Sequence, residues 1–167
     1  MKKTAIFYGT STGNTQNVAE AINAQIDNVA ELINVEDSSA SEIEKYEFLF
    51  LGTSTWGLGD LQDDWEGFIS ELKSANLEGK KVALFGLGDA DAYPDTFVDG
   101  MGTIYNAIAN KGCELVGMVS VEDYSYDAST AEVESQFVGL PIDEDNESDK
   151  TDERISKWVT DLRHHLS

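Results

Sequence analysis

Five apolar runs, mostly continuous rather than alternating, limit what this chain can become. They are "TAIFYG" at residues 4–9, "ELINVE" at 31–36, "YEFLFLGTS" at 46–54, "KKVALFGLG" at 80–88 and "CELVGMVS" at 113–120. A strand that is apolar on both faces must be covered on both faces, as in a parallel sheet sandwiched between helices. The intervening segments supply the helices. Val18, Ala19, Ile22 and Ile26 recur at helical spacing, as do Trp65, Phe68, Ile69 and Leu72, and again Ile104, Ala107 and Ile108. The alternation of strand and helix predicts an α/β fold, a doubly wound five-stranded parallel sheet flanked by helices. A length of 167 residues suits one domain over 1–167. A final helix is expected with Ile155, Trp158, Val159 and Leu162 on one face and Arg163, His164 and His165 near its negative end.

The last strand is expected to be interrupted. Residues 120–136, "SVEDYSYDASTAEVESQ", are polar and acidic, and they separate the fifth run from a shorter one, "FVGLPI". No run reaches the roughly 18 apolar residues of a membrane span. The short apolar run after Lys2 and Lys3 leads into a glycine turn and reads as a first strand, not a signal peptide. Cys113 is the single cysteine, so it has no internal disulfide partner and cannot alone hold a structural zinc or an iron-sulfur cluster. No metal site is expected, and the expected compartment is the reducing cytoplasm. Acidic residues outnumber basic ones 32 to 11, for a net charge of −21. Such a surface repels nucleic acid and anionic lipid and attracts proteins with basic faces, although acidity that serves solubility would look the same.

The chemistry starts at residues 8–15, "YGTSTGNT". In a doubly wound sheet this is the turn from the first strand into the first helix, where backbone N–H groups and a helix N-terminus favour an anion. The loop has no lysine and so is not a nucleoside triphosphate loop, and Gly9 and Gly13 are wrongly spaced for a dinucleotide fingerprint. What remains is a group of short polar side chains, Thr10, Ser11, Thr12, Asn14 and Thr15, suited to a phosphate monoester held by hydrogen bonds. Taken alone, the same residues would also make a turn and a helix cap. Two more strand ends, "TSTWGLGDL" at 53–61 and "GLGDADAYPD" at 86–95, place Trp56 and Tyr93 in loops at the same sheet edge. Aromatics among glycines and acids fall off the apolar period of a core, and two of them beside an anion loop suggest a planar ring held between them.

These motifs resemble the flavodoxin family, of the long-chain kind, over essentially the whole chain. The resemblance rests on "GTSTGNT", "STWGLGDLQDDWEGF", "GLGDADAYPDTF" and "FVGLPIDEDNESDKTDERI", in that order. It implies noncovalently bound flavin mononucleotide (FMN) and a low-potential one-electron carrier, not an enzyme, shuttling between larger redox proteins. By the same resemblance, Thr10, Ser11, Thr12, Asn14 and Thr15 hold the phosphate, Thr55 and Trp56 line the inner side of the ring, and Tyr93 stacks on its outer face. Asp89 accepts from the pyrimidine edge, Asp145 lies at the ribityl chain, and Gly57 follows the tryptophan where the peptide carbonyl turns toward flavin N5. The expected partners are proteins with basic docking faces, such as a ferredoxin/flavodoxin-NADP reductase, and the chain is expected to be a monomer. Asp60, Asp63, Asp64 and Glu66 follow the tryptophan loop and are expected to rim the exposed ring edge, or else to be a solvated helix face.

The main alternative is an FMN-dependent NAD(P)H:quinone reductase of the same fold, which needs open space where Tyr93 would stack. A phosphoacceptor signalling domain needs acids at the end of the first strand, and "IFYGTST" has none. No arrangement of nucleophile, base and orienting acid is visible, and His164 and His165 are adjacent rather than at ligand spacing.

Overall fold

Strand β1 (Thr4–Tyr8) is buried at every position and stands mid-sheet, since α1 (Asn14–Gln25) returns the chain to a parallel neighbour, β2 (Glu31–Asn34). A computed structural model describes residues 3–166; Met1, Lys2 and Ser167 of the expected 1–167 domain lie outside the described residues. After the one-turn helix α2 (Ala40–Ile43), which the periodicity does not announce, β3 (Phe48–Trp56) pairs with β1 on its other side. A two-residue antiparallel return, β4 (Asp60–Leu61), then leads into α3 (Asp63–Ser74). Strand β5 (Lys81–Leu87) and helix α4 (Asp99–Ile108) complete the regular alternation.

The interruption of the last strand is visible in the register. β6 (Glu114–Val116) pairs in parallel with Lys81–Ala83, and β10 (Gly139–Ile142) continues along the same edge of β5, pairing with Leu84–Leu87. The sheet order is β10-β5-β3-β1-β2, so a doubly wound parallel sheet is present with its fifth position filled by two segments end to end. The excursion starts earlier than the polar composition suggests. Gly117 has φ +80°, and a Cβ there would lie 2.7 Å from Nε1 of Trp158, which donates to the Gly117 carbonyl at 2.8 Å. The chain turns away there, and β7 (Val119–Ser120), β8 (Glu132–Val133) and β9 (Gln136–Phe137) form a separate three-stranded antiparallel sheet.

Alternate residues of each strand feed two cores. Phe7, Leu49, Leu51, Val82 and Leu84 face α3 and α4, while Ile6, Phe48, Phe50 and Phe85 face α1 and α5 (Thr151–Leu162). This explains the continuous apolar runs: both strand faces are interior, and each large side chain contributes about 1.5–3 kcal/mol of burial. The expected face of the final helix, Ile155, Trp158, Val159 and Leu162, is buried. Arg163, His164 and His165 form a short 3₁₀ turn beyond α5, and Arg163 donates to the Gln25 carbonyl at 2.7 Å. Its charge therefore serves the C-terminal end of α1.

Candidate functional site

The carboxyl ends of β1, β3 and β5 open onto one cavity of about 390 Å³. Its wall includes Thr12, Asn14 and Thr15 from the first loop, Thr55, Trp56 and Gly57 from the second, and Asp89 and Tyr93 from the third, with Asp145 from the segment after β10. These expected site residues are thus brought together from four separate stretches of chain. Thr10 and Ser11 are not among the lining residues. Thr10 Oγ1 accepts from the Gly13 N–H at 2.9 Å and closes the turn, while Ser11 Oγ accepts from Gln62 Nε2 at 3.2 Å.

The turn delivers an exposed helix N-terminus. Gly13, the residue before α1, has φ +95°, and no side chain caps the helix. The first-turn N–H groups of a helix have no intrahelical partners and carry partial positive charge. Helices α2, α3, α4 and α5 each carry acid in their first turn, whereas α1 carries none. In a chain of charge −21 that difference favours an anion at this end of α1.

The side walls are aromatic. Trp56 and Tyr93 are 41% and 43% exposed, well above the tryptophans of the core, and both line the cavity. Trp56 Nε1 donates to Ser54 Oγ at 2.8 Å, which ties its indole to its own strand. Gly57 has φ +51° and starts the turn, and a Cβ there would lie 3.1 Å from Asp60 Oδ2. Thr55 Oγ1 accepts from the Gly100 N–H at 2.8 Å and still has its own hydroxyl proton to donate.

One end of the cavity is anionic. Asp89 Oδ1 accepts from the N–H groups of Ala92 and Asp91 and from Asn146 Nδ2. Led by the Ala92 bond, these donors hold its carboxyl below the usual range, and Oδ2 is left for another donor. Asp145 shifts upward, first because burial penalises its charge and then because Asp89, Asp143 and Glu144 repel it. Asp143 is buried and fully engaged, accepting from the Ala90 and Asn146 N–H groups.

Several contributors were missed in the sequence. Ser54, Leu87, Gly88 and Glu144 also line the cavity. Gln62 is 1% exposed; its Oε1 accepts from the N–H groups of Asp64 and Trp65 and so caps α3, and its Nε2 reaches Ser11. A Cβ on Gly9 would lie 2.2 Å from Gln62 Oε1 and 2.7 Å from Trp65 Cδ1, so glycine is required where the first loop passes α3. A polar residue at a helix N-cap was the available signal for Gln62. Of the four acids after the tryptophan, Asp60 lies beside Gly57, but Asp63 and Asp64 line a different groove with Val35, Glu36 and Ser38.

A cavity of this kind, with an anion end, two aromatic walls and an acidic end, suits a phosphorylated planar ring. The family model described as Flavodoxin matches residues 6–158. The chain belongs to the flavodoxin family. It is 43% identical over 165 residues to a flavodoxin of Synechococcus elongatus, covering 98% of this chain and 97% of the relative. Flavodoxin 1 of Escherichia coli is 40% identical over 168 residues, at 99% and 96% coverage. Among solved structures, a Fusobacterium nucleatum flavodoxin bound to flavin mononucleotide superposes with a TM-score of 0.95 at 30% identity, covering 100% of both chains.

Proposed function

We propose that this flavodoxin-family chain carries electrons one at a time on noncovalently bound FMN, between larger redox proteins. The observation that carries the reading is the coincidence, in one cavity, of an uncapped, acid-free helix N-terminus with two half-exposed aromatic walls. The residues fit the group. Thr10, Ser11, Thr12 and Thr15 would hold its phosphate through hydroxyls and backbone N–H groups and Asn14 through its amide, without a neutralising cation. Trp56 and Tyr93 would hold its ring, with Thr55 and Gly57 at its side. Asp89 keeps Oδ2 free for an N–H of the ring's polar edge, and Asp145 borders the ribityl chain.

When bound, FMN supplies the redox chemistry, and the protein sets its potential. The side chains do this by charge. A carboxylate about 10 Å from the ring opposes added negative charge by roughly 0.4 kcal/mol in water and about 1.7 at an effective dielectric near 20. At about 59 mV per 1.4 kcal/mol for one electron, the group of Asp89, Asp143, Glu144 and Asp145 would lower the potential of the second reduction of a bound flavin. Trp56 and Tyr93 exclude water and keep the ring apolar on both faces. The acidic surface is the docking face for basic partners, such as a ferredoxin/flavodoxin-NADP reductase, in the cytoplasm, with the carrier acting as a monomer.

A quinone reductase of the same fold is not favoured, since Tyr93 stands where nicotinamide would stack and the relatives above are flavodoxins. The test is an absorption spectrum during anaerobic stepwise reduction of the purified protein. Yellow protein that turns blue at one electron and then bleaches is expected. Bleaching without a blue stage would sink the one-electron reading, and absence of FMN binding would sink the flavin reading altogether.

A further inference from the structure

The inserted segment reaches the Tyr93 loop and the first turn of α4 although none of its residues lines the cavity. Its contacts centre on a strained corner. Val98, fully buried just before α4, has φ +49°, a strained conformation that a β-branched residue keeps only where its surroundings enforce it. The insertion holds both sides of that corner. The Asp127 and Ala128 N–H groups donate to the Pro94 carbonyl at 2.8 and 3.0 Å, and the Phe97 N–H donates to the Ala128 carbonyl at 3.2 Å. The Thr130 N–H donates to Asp99 Oδ1 at 2.8 Å. Below, the Phe97 ring packs on Tyr124, Tyr126 and Phe137, with centroids 5.6–6.0 Å away.

Each side of the corner leads to a cavity wall. Pro94 directly follows Tyr93, whose N–H is bonded to the Asp89 carbonyl. Asp99 precedes Gly100, whose N–H holds Thr55 Oγ1 at 2.8 Å, and Asp99 Oδ2 lies 2.8 Å from where a Gly59 Cβ would sit in the tryptophan loop. We propose that Asp99 and the inserted residues 127–130 form a clamp that positions the Tyr93 wall and the Thr55–Trp56 wall for the ring. Asp99 is a positioning residue that acts through Gly100 and Pro94, and the insertion is an outer brace of the cofactor site. This rests on the flavin reading above. The physical case is that a loop aromatic contributes stacking only if it is already held in place, and two loops braced from one side lose less freedom when the ring enters.

The test compares FMN affinity, by flavin fluorescence quenching, for Asp99→Ala and Asp99→Asn in the wild-type and Tyr93→Ala backgrounds. Asp99→Ala should weaken FMN about tenfold, the loss of one hydrogen bond to a charged group. Asp99→Asn keeps an Oδ1 acceptor and should recover most of that loss. In the Tyr93→Ala background the Asp99→Ala effect should shrink at least about threefold, because one of the walls it positions is gone. Equal losses in both backgrounds, or unchanged affinity in folded Asp99→Ala, overturn the clamp. Should Asp99→Ala not fold, wild-type hydrogen exchange decides. Coupling is reciprocal, so FMN must slow exchange of the Asp127, Ala128 and Thr130 amides, and unchanged exchange there overturns the proposal. The wild-type titration is done first: if wild type does not bind FMN, the flavin reading has failed, an outcome distinct from loss of the clamp alone.

Discussion

Replacing Gln62 separates the stability of this molecule from its affinity for phosphate. The amide does two jobs at once. Its oxygen accepts from the Asp64 and Trp65 N–H groups at 3.1 and 3.2 Å, and its nitrogen donates to Ser11 Oγ at 3.2 Å and Asp64 Oδ2 at 3.0 Å. Gln62→Ala removes a helix cap, about 1 kcal/mol. It also leaves the N–H of the fully buried Trp65 without its partner, about 1–3 kcal/mol more. The expected loss is therefore about 2–4 kcal/mol, which at a urea dependence near 2 kcal/mol per molar moves the midpoint down by about 1–2 M. Gln62→Glu keeps the oxygen cap but puts a second carboxylate beside Asp64 and faces Ser11 with an acceptor. It should cost roughly 1 kcal/mol in stability but more than tenfold in FMN affinity, because negative charge then backs the phosphate loop. Urea unfolding of the apoprotein and fluorescence titration with FMN measure the two effects. A stability change under about 0.5 kcal/mol for Gln62→Ala would refute the capping argument, since that is the scatter of ordinary surface substitutions. Unchanged FMN affinity in Gln62→Glu would refute the placing of the phosphate in the first loop.

Gly9→Ala should destabilise the apoprotein by about 1–3 kcal/mol through overpacking against Gln62 and Trp65, and a urea midpoint equal to wild type would contradict the close approach. Trp56→Ala should weaken FMN by about 1–3 kcal/mol, the usual range for an aromatic stacking partner, with little effect on urea unfolding because the indole is half exposed. The Asp89 carboxyl is held below its unfolded value near 3.9 by the Ala92 N–H and its companions. Its contribution to the Tyr93 loop is thus complete above about pH 4 and is lost as pH falls through the lower folded value, so FMN should be released in that acid window and Asp89→Asn should shift the release profile. Asp145 is perturbed in the opposite sense, and Asp145→Asn relieves repulsion from Asp89, Asp143 and Glu144. It should raise the potential of the second reduction step by up to tens of millivolts in potentiometric titration, and no shift in low salt would show that the acidic end is screened from the ring.

Much of the site was legible because its signals are local. The loop at 8–15 carries its hydroxyls and Gly13 in one stretch, and Trp56 and Tyr93 stand out because they lie off any apolar period. Gln62 was not legible as a site residue: its partner Ser11 is 51 positions away, and nothing near 62 marks it as more than a helix cap. Asp63 and Asp64 stayed open between a ring-edge rim and a solvated helix face for the converse reason, since closeness to Trp56 in sequence does not say which groove the first turn of α3 faces.

The sequence by itself determined the parallel sheet, the two helical layers, the interrupted last strand and the loops that could meet a phosphorylated ring. Each depends on periodicity, composition or turn chemistry within a short window. Tertiary structure alone decided that the interruption begins at Gly117, where Trp158 fills the space a side chain would need. It alone decided that Arg163 serves the end of α1 and that the polar insertion tucks Tyr124 and Tyr126 against Phe97. Those outcomes come from contacts between residues far apart in the chain, and no local pattern records a neighbour that folding has yet to bring into reach.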